Sequence, residues 1–424
     1  MRCGKALAVS AMLVVLGCGG SNGGGGNPDN GGGGTSGDGG ATTSGGHDAG
    51  HPSSSSGGDA GQTSTPSEAG APAEAGSPQE GGSSPEASTG GNDGGGTAPS
   101  GLFFSPYKDT SINMNWNTNV ITTMVPGTAT GLASDLVASG GKAITLAFAT
   151  GECGSEQWAG VQGAAMATAN VSLLSQAGVP YVISTGGAAG SFTCGTDAGM
   201  TTFIERWASP QLTGVDFDIE AGQSQSVIQD LVARIQTAHG SYANLRFSLT
   251  IATLANNNGA STAQSLGSSV ADSLNVYGDD VMAAIATTFG SSWPGYLTVN
   301  LMTMDYGSPS DGVCVVANGE CDMGQSALQA AYNLHDKYGV PYANIELTPM
   351  IGQNDASSEQ FTLAEATLVA HFAVTQGLAG VHYWSYDRDV DCAAGSASPT
   401  CNSMGTGYAG PHGFLKAFLA AGLH

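Results

Sequence analysis

The chain has 424 residues and a net charge of −24, from 10 Lys and Arg against 34 Asp and Glu. Such a chain repels nucleic acid and anionic lipid, which excludes both as charge-driven partners, whereas a neutral polymer is compatible with it. The length allows one large barrel or two ordinary domains, and solubility alone accounts for much of the charge.

Residues 1–18 read as an export signal. Arg2 and Lys5 give a positive start, and Ala6 to Leu16 form an apolar core too short to span a bilayer as a permanent helix. The core ends in Val15-Leu16-Gly17-Cys18, which looks like a bacterial lipobox. On that reading Cys18 is the lipidated first residue, and its acyl chains are the one link to a membrane. Ordinary cleavage near Gly17, with release of a soluble protein, is the alternative. Gly19 follows Cys18, so the familiar Asp signal for inner-membrane retention is absent, and outer-membrane or surface display is expected. Residues 19–100 are Gly, Ser, Pro, Ala, Thr and scattered acids, without Lys, Arg, large aliphatics or aromatics. They cannot bury enough apolar surface to offset their ordering entropy and are expected to form a disordered linker. A flexible coil of about 80 residues spans roughly 50 Å.

From Gly101 to His424 the composition becomes globular. Apolar runs at 101–105, 144–150, 179–185, 213–220, 246–253, 297–304, 345–351 and 380–386 read as strands. Helical patterns lie between most of them, at 159–177, 198–207, 223–239, 325–338 and 363–377. Apolar strands separated by helices predict a parallel sheet covered on both faces. Eight of them predict an α/β chain folded as a (β/α)8 TIM barrel, whose active site forms at the C-terminal ends of the strands. No oligomerisation signal stands out, and a monomer is expected.

The fourth strand carries Thr213-Gly214-Val215-Asp216-Phe217-Asp218-Ile219-Glu220. Residues two apart in a strand share a face, so Asp216, Asp218 and Glu220 line up opposite Val215, Phe217 and Ile219. A column of like charges is costly inside a fold. It is kept where repulsion raises a carboxyl pKa for use as an acid, or where a metal or substrate answers the charge. No His or Cys lies beside the run to favour a metal. An acidic strand facing solvent is the bland alternative.

This run resembles the Asp-Gly-x-Asp-x-Asp-x-Glu signature of glycoside hydrolase family 18, the chitinase family. Seven of its eight positions fit, with Thr213 where the first Asp is expected. The resemblance spans the barrel segment and implies the same fold. Strand three ends Ser184-Thr185-Gly186-Gly187, similar to the family's Ser-x-Gly-Gly element, whose glycines let backbone pass close to sugar. Strand six ends Met302-Thr303-Met304-Asp305-Tyr306-Gly307, where many family members carry Met-x-Tyr-Asp and the Tyr hydroxyl holds the substrate's acetamido oxygen. Met302 and Asp305 match. Met304 stands in the Tyr position, and Tyr306 is offset by one residue, which in a regular strand turns it to the other face. Either the strand end re-aims Tyr306, or another hydroxyl does its work, or Tyr306 is a packed aromatic. Strand eight ends Tyr383-Trp384-Ser385-Tyr386, and the resemblance implies Trp384 as the floor of the central sugar subsite. Gln353, beyond strand seven, is a further candidate for hydrogen bonding to substrate. Trp116, Trp158 and Trp293 are candidates for outer subsites, with core or surface packing as the alternative.

Besides Cys3 and Cys18 the chain has Cys153, Cys194, Cys314, Cys321, Cys392 and Cys401. An even number in an exported protein suggests disulfides; six cysteines allow 15 pairings, of which proximity favours Cys153 with Cys194, Cys314 with Cys321, and Cys392 with Cys401, and a zinc site is the rival, though no CxxC spacing is present. The alternating acids Asp387, Asp389 and Asp391 lack the turn glycine and distal Glu of a calcium loop. His335, His371, His382 and His412 show no ligand spacing and read as surface or core residues.

The resemblance implies a chitinase that hydrolyses β-1,4-linked N-acetylglucosamine polymers through the substrate's own acetamido group, with retention and without metal or organic cofactor. Glu220 is then the acid/base, Asp218 orients the acetamido N–H, and Asp216 tunes Asp218. Repulsion from the Asp pair is expected to raise the pKa of Glu220. An endo-β-N-acetylglucosaminidase acting on N-glycans, or a chitin-binding lectin on the same barrel, are the alternatives.

Overall fold

The structure, a computed structural model, describes residues 101–424. The export signal, Cys18 and the linker expected over 19–100 lie outside the described residues.

Eight parallel strands form a closed ring. β1 is in two pieces, Phe103–Phe104 and Tyr107–Asp109; then follow β2 (Ile144–Glu152), β3 (Tyr181–Gly186), β4 (Leu212–Ile219), β5 (Arg246–Ala252), β6 (Leu297–Thr303), β7 (Ile345–Pro349) and β8 (Gly380–Val381). Neighbours in sequence pair side by side from β2 to β8. The first piece of β1 pairs with β8 and the second with β2, which closes the barrel. The break falls at Pro106, which has no N–H to give to a neighbouring strand. Eight helices cover the outside: α1 (Leu132–Ser139), α2 (Gly163–Gln176), α3 (Asp197–Arg206), α4 (Gln225–Ser241), α5 (Val276–Phe289), α6 (Met323–Tyr338), α7 (Leu363–Gln376) and α8 (Gly413–Ala420). Among the described residues no helix is long and apolar enough to cross a membrane.

The expected (β/α)8 barrel is present, with three local differences. The sequence reading did not single out α1, α5 and α8. α1 and α8 have only 8 residues each, too few for periodicity to show, and α5 carries Gly278, Asp279 and Asp280 in its first turn, all weak helix formers. β1 runs past its expected end to Asp109. β8 is regular only at Gly380–Val381, although Trp384 still donates its N–H to Pro349 O at 2.9 Å and accepts from Ile351 N at 2.9 Å.

The strands alternate rather than being apolar on both sides. On β4 and β5, Val215, Phe217, Ile219, Phe247, Leu249 and Ile251 are buried under the helices. The intervening Asp216, Asp218, Arg246, Ser248 and Thr250 point inside the ring. The barrel interior is therefore polar and needs internal partners. At its base Arg246 pairs with Glu346, and His382 Nε2 lies 3.2 Å from Glu346 Oε2 and its Nδ1 2.9 Å from Ser105 Oγ. Burial holds the His382 pKa down at about 4, with Arg246 adding to it, so the imidazole is neutral at ordinary pH.

The three disulfides pair as proximity suggests: Cys153–Cys194, Cys314–Cys321 and Cys392–Cys401. All lie in loops beyond the C-terminal ends of strands, where they constrain segments that carry little core of their own.

Candidate active site

Asp216 sits in the ring between β3 and β5, level with Ser184 on one side and Ser248 on the other. Four hydroxyls donate to its carboxylate. Ser184 Oγ and Tyr107 OH reach Oδ2 at 2.6 and 2.9 Å, and Ser248 Oγ and Thr250 Oγ1 reach Oδ1 at 2.6 and 2.7 Å. Asn300 Nδ2 donates to both Tyr107 OH and Thr250 Oγ1, and Thr348 Oγ1 donates to Asn300 Oδ1. Five strands thus hold one buried carboxylate. The sequence reading placed Asp216 but took Ser184 for a substrate contact, whereas its hydroxyl is fully buried on Asp216, and it missed Tyr107, Ser248, Thr250 and Asn300. For Ser248 and Thr250 the signal was the polar residue at every second position of Arg246-Phe-Ser-Leu-Thr250.

Asp218 is buried one layer nearer the mouth, beside Gly186 on β3. Gly186 has φ +85°, and a Cβ there would stand 1.9 Å from the Asp218 carbonyl oxygen, so only glycine lets the two backbones approach. A Cβ on Gly187 would meet the Phe148 ring at 2.8 Å. Asp218 is hydrogen-bonded to Glu220, and its Oδ1 is buried without a partner among the described residues. Burial raises the Asp218 pKa well above the usual range, and repulsion from Glu220 and then Asp216 adds to this.

Glu220 is the first residue beyond β4, at the mouth. Its pKa is raised to about 7, chiefly by burial; the hydrogen bond from Asp218 pulls it down and the Asp305 charge pushes it up. The expected cause is therefore corrected. Desolvation, not the Asp pair, lifts Glu220, because Asp218 faces it as a donor. Asp218 and Glu220 together hold a proton near neutral pH.

Trp384 lies half-buried at the end of β8, stacked on Phe148 with centroids 5.5 Å apart and tilted against Tyr107 at 6.2 Å. Phe148, on β2, was not singled out by the sequence. Met302 is half-buried at the upper end of β6, in register with Thr348. Asp305 follows in the left-handed region at φ +51°; the residue is exposed overall, but its carboxylate accepts the Ala356 N–H at 3.0 Å, and desolvation raises its pKa above the usual range.

Besides Ser184, two expected substrate contacts are not presented that way. Tyr306 is turned into the core, 4% exposed, and its hydroxyl has no partner. β6 ends at Thr303 and Asp305 turns at φ +51°, so the turn after the strand, not strand alternation, sends Tyr306 inward. Gln353 is buried and spends its amide on its own loop: Nε2 donates to Ser357 O at 3.1 Å and Glu359 O at 3.0 Å, and Oε1 accepts from Gln360. Of the outer tryptophans, Trp158 is wholly buried against Trp207 with centroids 4.9 Å apart, Trp293 is half-buried and Trp116 is 57% exposed.

The acids after β8 are structural. Asp387 pairs with buried Lys108 at 2.8 Å, Asp389 accepts the Phe414 and Leu415 amides at the start of α8, and Asp391 accepts the Ala409 and Gly410 amides. Among the described residues no group of three or more His, Cys, Asp or Glu is arranged to hold a metal ion.

The site is thus a ladder of buried carboxylates at the C-terminal mouth of a (β/α)8 barrel, flanked by stacked aromatics. No family model matches the chain. It is 37% identical over 103 residues to the probable bifunctional chitinase/lysozyme of Escherichia coli (strain K12), and 36% identical over 106 residues to endochitinase 11 of Metarhizium anisopliae. Each match takes in 22% of this chain, and they span 11% and 20% of those two proteins. The catalytic domain of a hyperthermophilic chitinase from Pyrococcus furiosus has the same fold, with a TM-score of 0.56 at 23% identity over 77% of this chain and 97% of that one. The likeness to family 18 chitinases read from the residues is matched by these relatives in sequence and by this structure in fold.

Proposed function

We propose that the chain is a family 18 glycoside hydrolase, an endo-acting chitinase that cleaves β-1,4-linked N-acetylglucosamine polymers with retention. The observation that carries this reading is Glu220, at the strand end with its pKa near 7, hydrogen-bonded to Asp218. A carboxylic acid that is partly protonated at neutral pH suits protonation of a glycosidic oxygen. In this reading Glu220 protonates the leaving oxygen, and the substrate's acetamido oxygen attacks the anomeric carbon to give an oxazolinium ion. Asp218 accepts the acetamido N–H, for which its unpartnered Oδ1 is suited. Asp216 fixes the layer below and repels charge on Asp218. Glu220 then takes a proton from the attacking water, and the product keeps the β-configuration. Trp384, with Phe148, offers an aromatic floor to the sugar ring, and Met302 and Asp305 line the same end of the barrel. We further propose that residues 1–18 are an export signal and that Cys18 is acylated, with 19–100 as a linker to the catalytic domain at 101–424. Loss of lipid labelling in Cys18→Ala would support this, and equal labelling would sink it.

The test is hydrolysis of chitin oligosaccharides by the full chain and by Glu220→Gln, with anomers resolved. Early β-anomer that vanishes in the variant is expected. Met304 in the family's Tyr position, with Tyr306 buried, specifically favours one second reading, a lectin that holds chitin without cutting it. Tight oligosaccharide binding without cleavage by the wild type would establish it. Cleavage of N-glycans alone would move the substrate, not the chemistry.

A further inference from the structure

β7 is followed by a tight hairpin in which Gly352–Gln353 pairs with Gln360–Phe361. Its polar side chains turn toward the end of β6. Glu359 is fully buried, and its Oε1 accepts the Gly307 N–H at 2.7 Å while Oε2 accepts the Tyr306 N–H at 3.1 Å. Asn354 Oδ1 accepts the Asp305 N–H at 3.4 Å, and the Ala356 N–H closes the loop onto Asp305 Oδ1. Three consecutive amides, 305 to 307, are thus held by one hairpin. Asp305 lies at φ +51°, in the left-handed region that Asp enters more readily than most side chains, and the hairpin's contacts on both sides of it fix that turn. Glu359 bears the cost of a buried carboxylate: desolvation pushes its pKa up to about 7 in spite of both N–H donors. A fixed turn that aims Asp305 is the return on that cost.

We propose that Glu359 is a positioning residue of the active site: by clamping the Tyr306 and Gly307 amides, it holds the Asp305 carboxylate beside Glu220. The inference rests on the reading of Glu220 as the acid/base. The charged and titratable groups that face this turn are Glu220 from the end of β4, Asp355 and Glu359 from the hairpin, and Arg388 from the segment after β8. Glu220 is faced in addition by Asp218. Tyr306 lies against Glu359 with its hydroxyl buried. Arg388 is itself committed to Ile351 O at 3.0 Å and to Gln353 O, so it ties the hairpin to β8.

The test is a double-substitution cycle on the full chain, read by carboxyl-13C NMR titration of Glu220 beside kcat and KM on a chitin tetrasaccharide. Asp305→Asn removes a like charge and is expected to lower the Glu220 midpoint by about one pH unit. Glu359→Gln keeps the shape but turns an amide nitrogen toward a backbone N–H. It is expected to move the midpoint in the same direction and to cut kcat about tenfold, with KM less affected. The double variant should titrate like Asp305→Asn alone. Asn354→Ala, which loosens the same turn without removing a charge, should shift the midpoint in that direction too. A midpoint unmoved by both Glu359→Gln and Asn354→Ala overturns the proposal, because Asp305 is then held without the clamp. Additive shifts in the double variant overturn it as well, because Glu359 then acts on Glu220 directly. A wild type that cuts no chitooligosaccharide while the titration pattern holds sinks the substrate reading above and leaves the clamp standing.

Discussion

Glu220 joins two properties that oppose each other in stability. Its pKa rises from an ordinary 4.5 to about 7 because burial disfavours its charge. The folded state then binds this proton more tightly than the unfolded chain does. The resulting stability is fully present below about pH 4.5 and is lost as pH climbs through 7. The difference corresponds to on the order of 3 kcal/mol. Glu220→Gln removes the penalty, so its melting temperature should exceed that of the wild type at pH 8 and match it near pH 4. Thermal melts across that range check the prediction; equal temperatures at pH 8 would contradict the burial argument. In the proposed mechanism the same titration sets activity. As the proposed general acid must carry its proton, kcat on chitooligosaccharides should fall as pH rises through about 7, and Glu220→Gln should lose roughly 1,000-fold below pH 7, with the ratio shrinking above it.

At the scale of elements, two contacts between strands decide the site. Gly186 lets β3 lie against the Asp218 carbonyl, where a methyl group would collide with backbone rather than with a flexible side chain. Gly186→Ala should therefore destabilise the fold by about 2 kcal/mol or more and displace Asp218. Urea melts and kcat measured together would show both losses; an active, stable variant would mean that β3 can shift. The second contact is the Lys108–Asp387 pair, which joins the end of β1 to the segment after β8 with both side chains fully buried. Lys108 Nζ also donates to Asp109 O at 2.6 Å and Ile112 O at 2.7 Å. Lys108→Met leaves a buried carboxylate unanswered and should cost about 3–5 kcal/mol. Lys108→Met with Asp387→Leu should recover a substantial part of that, as denaturant titration would show.

For the whole molecule, the apolar core lies between the ring and the helices, and the disulfides lie in loops at the mouth. Reduction should therefore lower the melting temperature and activity before it lowers helical circular dichroism. About 2–4 kcal/mol is expected of each bond. Simultaneous loss of all three signals would mean that the mouth loops and the barrel unfold as one unit.

The sequence by itself determined the barrel and the line of Asp216, Asp218 and Glu220, and it suggested the pairing of the cysteines that the structure shows. Each of these rests on local physics: the period-two alternation of a strand, the spacing of apolar runs, and proximity along the chain. It also showed Met304 in the family's Tyr position, although the way Tyr306 faces was set by the turn after Thr303. Only the tertiary structure decided who answers the buried charge. Tyr107, Ser184, Ser248 and Thr250 reach Asp216 from β1, β3 and β5, as much as 109 positions away in the chain, and no local pattern announces such a meeting. It likewise buried Trp158 and Gln353, and brought Glu359 beneath the turn that carries Asp305. A side chain's period says which face it takes. What it meets there depends on strands that only ring closure makes neighbours.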